Sequence, residues 1–466
     1  MTASARRTKI VATAGPACDA PGVLERVLAA GGDVVRLSAA HAGLPELQQR
    51  LSAVRVLAQG LHRVVGVMLD LPGPKVRVGD VAPGTVLADG STLRLLAGEC
   101  VGDSTRVCVT HACIGTDVAS GDRVLIDDGR LELEVVSAAE GEVVCRVMRG
   151  GPLSSHKGLN VPGVRLSLES VTPADLEALA WGIGAGVDLF AQSFVRSAGD
   201  VATLRRAIGG AAVPVVAKIE KHEALEDLGA IVSAADAVMV ARGDLAVETA
   251  PERVPPAQRA IIDACRALGK PVIVATQMLE SMMLSPRPTR AEASDIATAV
   301  FEGADAVMLA EETAVGAYPV ESVETMDRIC RAAEDAGPVV AVSRAASGAT
   351  SSVASAACDL AADVGASALV VATQSGATAR AVARCRPPVP VLALTPLDAV
   401  ARALALVWGV TPWIVGSLRT IDEMTAAALD AARSSGAAHA GEKVVLTAGT
   451  TVGVTGSTDL IRVLSA

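Results

Sequence analysis

Two stretches near the middle of the chain carry charged residues whose spacing could support chemistry. In "VVAKIEKHEAL" (215–225), Lys218 and Glu220 stand two positions apart at the end of an apolar, β-branched run. Alternate side chains of a strand point to the same face, so this lysine and this carboxylate would lie side by side. In "ARGDLAVE" (241–248), Asp244 follows the next apolar run. Two carboxylates and a lysine predict a magnesium site beside a cation that can neutralise a transferring phosphoryl group.

A third stretch, "LDLPGPKVRVG" (69–79), places Lys75 directly after a turn of two prolines and a glycine. Proline restricts the backbone, so the turn would hold this lysine at a low ordering cost. The "ARGD" sequence also begins a helix-like segment, whose free N–H groups could hold a carboxylate or a phosphate. Taken singly, Lys218 and Glu220 could form an ordinary salt bridge at the end of their strand, and Lys75 could be an ordinary solvated lysine of a turn.

These residues belong to a series of apolar runs separated by helix-like segments. The runs cover residues 9–15, 33–38, 64–71, 187–195, 214–220, 237–245, 271–279 and 306–313. Continuous apolar runs are typical of buried parallel strands, and eight of them predict an α/β fold with a (β/α)8 TIM barrel. Polar residues follow at the carboxyl ends of the runs, where barrel enzymes place their active sites. They are Arg36, Asp70, Ser193, Lys218, Glu220, Arg242, Asp244, Thr276, Glu311 and Glu312.

Two regions interrupt or follow this alternation. Residues 72–156 lose helical periodicity and show alternating strands with turn signals, which predicts an inserted all-β domain, a small β-barrel. A helix–strand alternation restarts after residue 340, which predicts a C-terminal α/β domain over residues 340–466. The catalytic barrel is therefore expected over residues 1–71 and 157–339.

Composition narrows the class of protein. A formal charge of −10 without a compensating run of Lys or Arg argues against nucleic acid as a partner. The start of the chain has no adequate apolar segment and no later uncharged run reaches membrane-spanning length, so we expect a cytoplasmic protein with no membrane partner. The nine cysteines are odd in number, scattered and without C-x-x-C spacing, so we expect them to be reduced.

Longer motifs resemble the pyruvate kinase family over nearly the whole chain. The most specific stretch is 271–319, "PVIVATQMLESMMLSPRPTRAEASDIATAVFEGADAVMLAEETAVGAYP". The motifs "TKIVATAGP", "LDLPGPKVR", "IDDG", "LSSHKGLNVPG", "QSFVR" and "KIE" occur in the family's order and spacing. The resemblance implies transfer of the phosphoryl group of phosphoenolpyruvate to ADP, giving pyruvate and ATP in glycolysis, by a homotetramer.

The resemblance also implies roles for individual residues. Glu220 and Asp244 would bind Mg²⁺ or Mn²⁺, Lys218 and Arg36 would stabilise the phosphoryl group, and Thr276 would lie near the methylene carbon. The remaining contacts would be the backbone of Ala241, Arg242 and Gly243 for the substrate carboxylate, and His41, Arg77 and Lys157 for the nucleotide. The inserted domain would act as a lid that expels water.

The family's potassium site falls on Ser38, Asp70 and Leu71, and two of these positions depart from its pattern. The family's "RLNFSHG" is "RLSAAHA" here (36–42), so an asparagine becomes Ser38 and a serine becomes Ala40, while Leu71 replaces a threonine. Lys75 occupies a position that is commonly glutamate in members that need potassium and lysine in members that do not. We therefore predict that potassium is not required and that Lys75 stands in for it.

Two further features concern the rest of the chain. "LAEETA" (309–314) has Ala310 and Glu311 where the family usually has Ser-Gly, so an added carboxylate would lie near the phosphoryl site unless it faces away. In the C-terminal domain, "TQSGATAR" (373–380) joins an apolar run to a helix through a small-residue loop that could present N–H groups to an anion. In the family this loop binds sugar-phosphate or nucleotide activators, and its residues here are Thr373, Ser375, Gly376 and Thr378.

Two other functions remain open at this stage. The departures leave room for a catalytically weak relative that binds phosphoenolpyruvate or nucleotide and regulates. A different magnesium-dependent barrel enzyme, an aldolase or a lyase acting on pyruvate enolate, would share the carboxylate pair but not the inserted domain.

Overall fold

The chain begins with the first three strands of a barrel. The structure, a computed structural model, describes residues 6–337, 348–449 and 458–466. The strands are β1 (Lys9–Thr13), β2 (Val34–Ser38) and β3 (Gly66–Asp70), and the helices between them are α1 (Val23–Ala29) and α2 (Leu44–Gly60). A single 3-10 turn, Pro16–Asp19, follows β1. All three strands consist mainly of buried residues, as expected for strands that helices cover on one side and a barrel core on the other.

The insertion then forms two antiparallel-rich sheets. Its elements are β4 (Val86–Leu87), β5 (Thr92–Ala97), β6 (Arg106–Val109), α3 (Ile114–Asp117), β7 (Arg123–Ile126), β8 (Leu131–Ala139), β9 (Glu142–Arg149), β10 (Gly151–Pro152) and β11 (Leu159–Asn160). The larger sheet has the order β11-β7-β8-β9-β5-β6, and β4 pairs with β10. The sequence set the end of this domain at residue 156. Leu159 pairs opposite Ile126, and Leu166 still packs in the insertion's core, so its packing continues beyond that residue.

The remaining strands close the barrel. They are β12 (Leu189–Gln192), β13 (Val215–Ile219), β14 (Ala237–Ala241), β15 (Val272–Ala275) and β16 (Ala306–Leu309). The helices of this half are α4 (Pro173–Ala185), α5 (Ala198–Ile208), α6 (His222–Glu226), α7 (Leu228–Ala234), α8 (Arg242–Glu248), α9 (Val254–Leu268), α10 (Arg290–Glu302), α11 (Glu311–Ala314) and α12 (Pro319–Ala336). The 3-10 turns are Pro251–Arg253 and Glu280–Met283. Eight parallel strands in the order β1-β16-β15-β14-β13-β12-β3-β2 form the closed barrel, and each predicted run contains one of them, which confirms the predicted fold.

The C-terminal domain is an α/β sheet, as predicted. It contains α13 (Ala349–Asp363), β17 (Ala368–Ala372), α14 (Ala377–Arg384), β18 (Val391–Thr395), α15 (Asp398–Leu404), β19 (Val410–Ile414), α16 (Ile421–Ser434), β20 (Lys443–Gly449) and β21 (Thr458–Ser465). The strand order is β19-β18-β17-β20-β21, and only β21 is antiparallel to its neighbour. The expected boundary at residue 340 lies outside the described residues. Within the described ranges, none of the helices is long and apolar enough to cross a membrane.

The C-terminal domain contacts the amino-terminal face of the barrel. Arg402 Nε lies 2.7 Å from Oδ1 of Asp188, which immediately precedes β12. Lys9 Nζ, at the start of β1, donates to the Val410 carbonyl at 2.8 Å. Leu406 packs in the same apolar cluster as the side chains inside the barrel. The C-terminal domain therefore covers the barrel end opposite the carboxyl ends of the strands.

A buried ion cluster also lies at the amino-terminal face, just before β2. Asp33 Oδ2 lies 2.9 Å from Arg6 Nη1 and accepts the backbone N–H of Ile10 at 2.9 Å. Arg63 Nη2 reaches Asp33 Oδ1 at 3.3 Å. Burial by itself would raise the pKa of Asp33, but the charges of Arg6 and Lys9 outweigh it and hold that pKa below its ordinary value. Asp33 is therefore a largely buried anion that links β1 to the residue before β2.

The expectation that all the cysteines are reduced was wrong for one pair. Cys100 and Cys108 form a disulfide in the insertion, with their Cα atoms 5.6 Å apart. The parallel pairing of β5 with β6 turns the chain back on itself between them, and this brings two residues eight positions apart into contact. The other seven cysteines, all within the described ranges, form no disulfide.

Candidate active site

Lys218 lies at the centre of a buried group of charges. Its Nζ is 3.0 Å from Glu220 Oε1 and 3.2 Å from Asp70 Oδ1, and it donates to Ser193 Oγ at 2.7 Å. Burial tends to lower the pKa of Lys218, but the charges of Asp70 and Glu220 raise it above its ordinary value. The strand alternation that puts Lys218 and Glu220 on one face thus creates a fixed, charged ammonium group at the carboxyl end of β13.

Glu220 follows β13 directly and is fully enclosed. Its Oε2 accepts the backbone N–H of Phe194 at 2.6 Å, which fixes the carboxylate while Oε1 faces Lys218. Burial raises the pKa of Glu220, and Lys218 offsets this only in part because the charge of Asp244 raises it again. Lys218 therefore compensates the negative charge of Glu220 only in part. A bound metal cation would supply further compensation.

Asp70 joins two cations on neighbouring parts of the barrel. Arg36 Nε lies 2.6 Å from Asp70 Oδ2, and Arg36 Nη1 reaches Thr13 Oγ1 at 3.2 Å. Burial would raise the pKa of Asp70, but Lys218 and Arg36 hold it below its ordinary value. Because each carboxylate oxygen of Asp70 faces a cation, Asp70 links the two predicted catalytic residues Arg36 and Lys218.

The residues of the family's potassium site are brought together in the same place. Ser38 stands opposite Asp70 in the pairing of β2 with β3, and Leu71 follows Asp70 in the chain. The Leu71 carbonyl accepts a hydrogen bond from Ser193 Oγ at 2.7 Å. Asp70 and Leu71 therefore already have protein partners, which leaves them less available to coordinate a monovalent ion.

Lys75 contacts the other predicted metal ligand. Its Nζ lies 2.8 Å from Asp244 Oδ1 and 5.8 Å from the centre of the Phe194 ring. About a quarter of each of the Lys75 and Asp244 side chains is exposed. The turn that the sequence singled out therefore directs its lysine toward Asp244, one of the two predicted metal ligands, from the side of the insertion.

Thr276 and the start of α8 are held together at the ends of β14 and β15. Thr276 has φ 70° and Gln277 has φ 54°, a left-handed conformation that is costly for a β-branched residue. Gly243 N donates to Thr276 Oγ1 at 2.8 Å, and Arg242 Nη2 donates to the Thr276 carbonyl at 2.7 Å. The Arg242 guanidinium also pairs with Asp295 at 2.6 Å, so its side chain supports the strained turn. The Ala241–Gly243 backbone thus starts a helix directly beside Thr276.

A cavity of about 740 Å³ lies between the barrel and the insertion. Of the predicted site residues, those that line it are Lys75, Lys157, Gly243, Asp244 and Thr276. The insertion adds three further cations to its wall, Arg123, Arg130 and Arg149. The sequence does not single out these arginines, because Arg123 and Arg149 resemble ordinary solvent-facing strand residues and Arg130 lies in the turn between β7 and β8. The cavity therefore joins an acidic barrel rim to a surface of the insertion on which cations outnumber Asp127 and Asp128.

Two predicted nucleotide contacts do not line this cavity. Arg77 Nη1 donates to the His156 carbonyl at 2.9 Å, and the Arg77 backbone pairs with Gly158 at the edge of the insertion. His41 is exposed after β2. Partial burial, followed by the charges of Arg36 and Arg77, lowers the pKa of His41. Lys157, in contrast, lines the cavity and pairs with Asp127 at 2.8 Å.

The motif at the end of β16 that departs from the family pattern contains two glutamates in different surroundings. Glu312 is buried and accepts the backbone N–H of Leu279 at 3.0 Å and that of Ala310 at 2.7 Å, so it anchors two loops. Glu311 is exposed and lines the cavity. The added carboxylate therefore does not face away from the site.

The loop singled out in the C-terminal domain connects β17 to α14. Gly376 has φ 77°, and its N–H donates to Thr373 Oγ1 at 2.9 Å. Ser375 Oγ lies 3.4 Å from the N–H of Ala377. Thr378 is buried, and its hydroxyl lies 2.7 Å from that of Thr458 in β21. The loop is thus a compact turn, on a domain that covers the barrel face opposite the cavity.

Comparison with known proteins identifies the family. A model described as "Pyruvate kinase, barrel domain" matches residues 5–323, and one described as "Pyruvate kinase, alpha/beta domain" matches residues 351–464. The chain belongs to the pyruvate kinase family. This confirms the resemblance, and with it an enzyme of the transferase class, a pyruvate kinase. Enzymes of this family generally need a divalent metal ion.

Relatives match over almost the full length of the chain. The pyruvate kinase of Mycobacterium tuberculosis (strain CDC 1551 / Oshkosh) is 44% identical over 466 residues, which are 98% of this chain and 98% of that protein. The pyruvate kinase of Corynebacterium glutamicum is 43% identical, with 98% of this chain and 97% of that protein covered. That of Geobacillus stearothermophilus is 42% identical, with 98% and 80% covered. Nothing in these comparisons favours a non-catalytic relative.

Proposed function

We propose that this chain transfers the phosphoryl group of phosphoenolpyruvate to ADP, giving pyruvate and ATP, in the cavity between the barrel and the insertion. The observation that carries the proposal is that Lys218 Nζ lies 3.0 Å from Glu220 and 3.2 Å from Asp70, at the same end of the barrel as the cavity that Asp244 and Thr276 line. Phosphoryl transfer needs positioning and charge stabilisation more than covalent chemistry, and this arrangement offers both.

Glu220 and Asp244 would hold Mg²⁺ or Mn²⁺. Two carboxylates on neighbouring strands suit these ions, which complete their shells with substrate oxygens and water. The raised pKa of Glu220, caused by burial and by Asp244, supports this because a bound divalent ion would supply the missing positive charge. When bound, the ion would neutralise negative charge that develops on the enolate and phosphoryl oxygens.

Lys218 and Arg36 would stabilise the phosphoryl group in transit. Asp70 lies between them, 3.2 Å from Lys218 Nζ and 2.6 Å from Arg36 Nε. Both cations are therefore held in place before substrate binds. Preorganised charges of this kind act on the transition state without a reorganisation cost. Asp70 is a positioning residue in this proposal.

Thr276 and the start of α8 would handle the pyruvate half of the substrate. The N–H groups of Ala241, Arg242 and Gly243 would hold the carboxylate, and the Thr276 hydroxyl would deliver a proton toward the methylene carbon of the enolate. In the structure the Gly243 N–H donates to Thr276 Oγ1 at 2.8 Å, so the carboxylate would take over this N–H as it binds, directly beside the strained turn that carries Thr276.

The insertion would bind the nucleotide and exclude water. Lys157 would neutralise the phosphates of ADP, and the cavity-lining arginines of the insertion would add to this field. Arg77, which pairs with Gly158 beside Lys157, and His41, which follows β2, would contact the nucleotide from outside the cavity lining. Closure over the cavity would keep water from accepting the phosphoryl group. Lys75 would replace the potassium ion, because its ammonium group stands 2.8 Å from Asp244.

Regulation would come from the C-terminal domain of a homotetramer. A sugar phosphate or a nucleotide would bind at Thr373, Ser375, Gly376 and Thr378, where the chain enters α14. Because this domain contacts the barrel face opposite the cavity, the effector would act through the barrel or through subunit contacts rather than by touching substrate.

The direct test measures pyruvate formation from phosphoenolpyruvate with ADP, Mg²⁺ and potassium present and omitted one at a time. We expect release of pyruvate that requires ADP and a divalent ion, with ATP formed in equal amount. Binding of phosphoenolpyruvate without turnover would instead favour the catalytically weak relative. Turnover of a pyruvate derivative without ADP would favour an aldolase or a lyase.

A further inference from the structure

A second group of potential metal ligands lies outside the phosphoryl-transfer site. His222 and Glu223 begin α6, directly after the strand that carries Lys218, and Glu248 ends α8. His222 Nδ1 lies 3.0 Å from Glu223 Oε2 and 4.0 Å from Glu248 Oε2. The three atoms all lie within 4.8 Å of one another, close enough to bind one ion.

Each of these three atoms is buried, and apart from the ion pairs that they form with one another none has a hydrogen-bond partner among the described residues. The Glu248 side chain is fully enclosed, whereas a quarter of the His222 side chain is exposed. A buried polar atom without a partner pays its full desolvation cost, so native structures contain few of them. Three such atoms that face each other across one small space require an explanation.

The other oxygen of Glu248 is firmly held. Its Oε1 accepts Lys221 Nζ at 2.6 Å and Asn160 Nδ2 at 2.6 Å. These two donors fix the carboxylate so that Oε2 turns toward His222 and Glu223. Metal-binding carboxylates are commonly oriented in this way, by hydrogen bonds to the oxygen that does not bind the ion.

We propose that His222, Glu223 and Glu248 bind a divalent transition-metal ion, with Zn²⁺ as the preferred ion. One imidazole nitrogen and two carboxylate oxygens form a donor set that zinc uses, and water would complete a four-coordinate shell. The nitrogen ligand disfavours Mg²⁺, which binds through oxygen. The site therefore differs in chemistry from the all-carboxylate pair Glu220 and Asp244.

The position of this site connects three parts of the fold. Glu223 lies in α6, the helix that follows β13, and Glu248 ends α8. Asn160, which holds Glu248, belongs to β11 of the insertion. An ion bound there would fasten the insertion to the barrel at its return crossing. Bound ion should accordingly raise the unfolding temperature, because a ligand that binds only the folded state stabilises it.

The test uses the full chain, stripped with a chelator and dialysed against Zn²⁺ in saturating Mg²⁺, so that the carboxylate pair of the other site is already occupied. Bound zinc per chain is measured by elemental analysis, together with the unfolding temperature. The variants are His222→Gln, Glu223→Gln and Glu248→Gln, and the matched control is Glu226→Gln, an exposed glutamate on the same helix.

We expect wild type and Glu226→Gln to retain one zinc and to unfold at a higher temperature with zinc. The three ligand variants should lose at least about tenfold in affinity. Absence of retained zinc in wild type, or equal retention in all variants, would overturn the proposal and leave an ion pair between His222 and Glu223 as the explanation. If Glu248→Gln does not fold, His222→Gln carries the test, because a quarter of the His222 side chain is exposed. X-ray absorption at the zinc edge adds a check, since sulfur ligands would show that cysteines bind the ion and would also overturn it. These measurements need no turnover, so they stand apart from the outcome for phosphoryl transfer.

Discussion

Replacing Lys75 with methionine should remove the cation that lies closest to the predicted magnesium ligand Asp244. The two side chains are 2.8 Å apart at the closest atoms. Methionine keeps much of the length of the side chain, so the variant tests the charge rather than the packing. Lys75→Glu is the more severe version, because it places a carboxylate beside the acidic pair and beside an anionic substrate.

The size of the effect follows from the distance and the exposure. At 2.8 Å and an effective dielectric constant of about 20, the attraction between two unit charges is about 6 kcal/mol. A quarter of each side chain is exposed, so solvent screens part of this energy and the value is an upper limit. Loss of one preorganised active-site charge typically costs about 2.7 to 4 kcal/mol, or roughly 100- to 1000-fold in turnover. We expect Lys75→Met in that range and Lys75→Glu at or beyond its upper end.

The assay is steady-state pyruvate formation in sodium or tetramethylammonium buffer, repeated with added potassium. Wild type should be fully active without potassium, and Lys443→Met, a change at an exposed lysine of the C-terminal domain, should behave like wild type. Potassium should rescue Lys75→Glu poorly, because Ala40 has no side-chain oxygen to coordinate it. A wild-type enzyme that stays inactive until potassium is added would refute the reasoning, as would a Lys75→Met enzyme with unchanged turnover.

Three further predictions concern other parts of the molecule. Lys218→Met should keep phosphoenolpyruvate affinity within a few-fold but lose roughly 100- to 1000-fold in turnover, measured as kcat against KM, and near-normal turnover would contradict its role. Asp33→Asn should lower the free energy of unfolding by about 1 to 3 kcal/mol at neutral pH, because it removes the anion that faces Arg6 and Arg63, although Arg6 keeps its ion pair with Asp327. The exposed Asp263→Asn should change it by less than about 1 kcal/mol. Because the pKa of Asp33 is lowered on folding, its contribution to the free energy of unfolding is present above the ordinary pKa of 3.8 and is lost as the pH falls through the lowered pKa. The stabilities of wild type and variant should therefore converge in acid. A difference that stays constant with pH would argue against the ion cluster. Finally, if a sugar phosphate or nucleoside monophosphate shifts the substrate saturation curve, Thr378→Glu should abolish that shift and Thr378→Val should test the hydroxyl alone; an effector response that survives Thr378→Glu would move the site elsewhere.

The sequence predicted the barrel well because barrel strands are local patterns. Each apolar run needs only its own composition to be recognised, and the polar residue at its end marks the active face. Lys218 and Glu220 could be paired for the same reason, since a separation of two on a strand fixes their common face. The family motifs then related residues that lie far apart in the chain, such as Lys75 and Asp244.

What the sequence could not predict are contacts made by tertiary packing alone. The disulfide between Cys100 and Cys108 depends on a turn between two strands of the insertion, and no spacing rule signals it. The cavity-lining Arg149 looks like a solvent-facing strand residue until the insertion is placed over the barrel. The approach of Glu248 to His222 likewise depends on how α8 packs beside α6.

Leu406 of the C-terminal domain packs against the apolar side chains inside the barrel, so the barrel and this domain are not independent units. A chain shortened to end at residue 337 would keep every proposed catalytic residue but would open the lower end of the barrel core to water. It would also leave Asp188 without Arg402, although Arg55 would still pair with it. The C-terminal domain thus closes the amino-terminal end of the barrel core. Exchange of this domain between relatives should succeed only when the residues that contact it at the amino-terminal face of the barrel are exchanged as well.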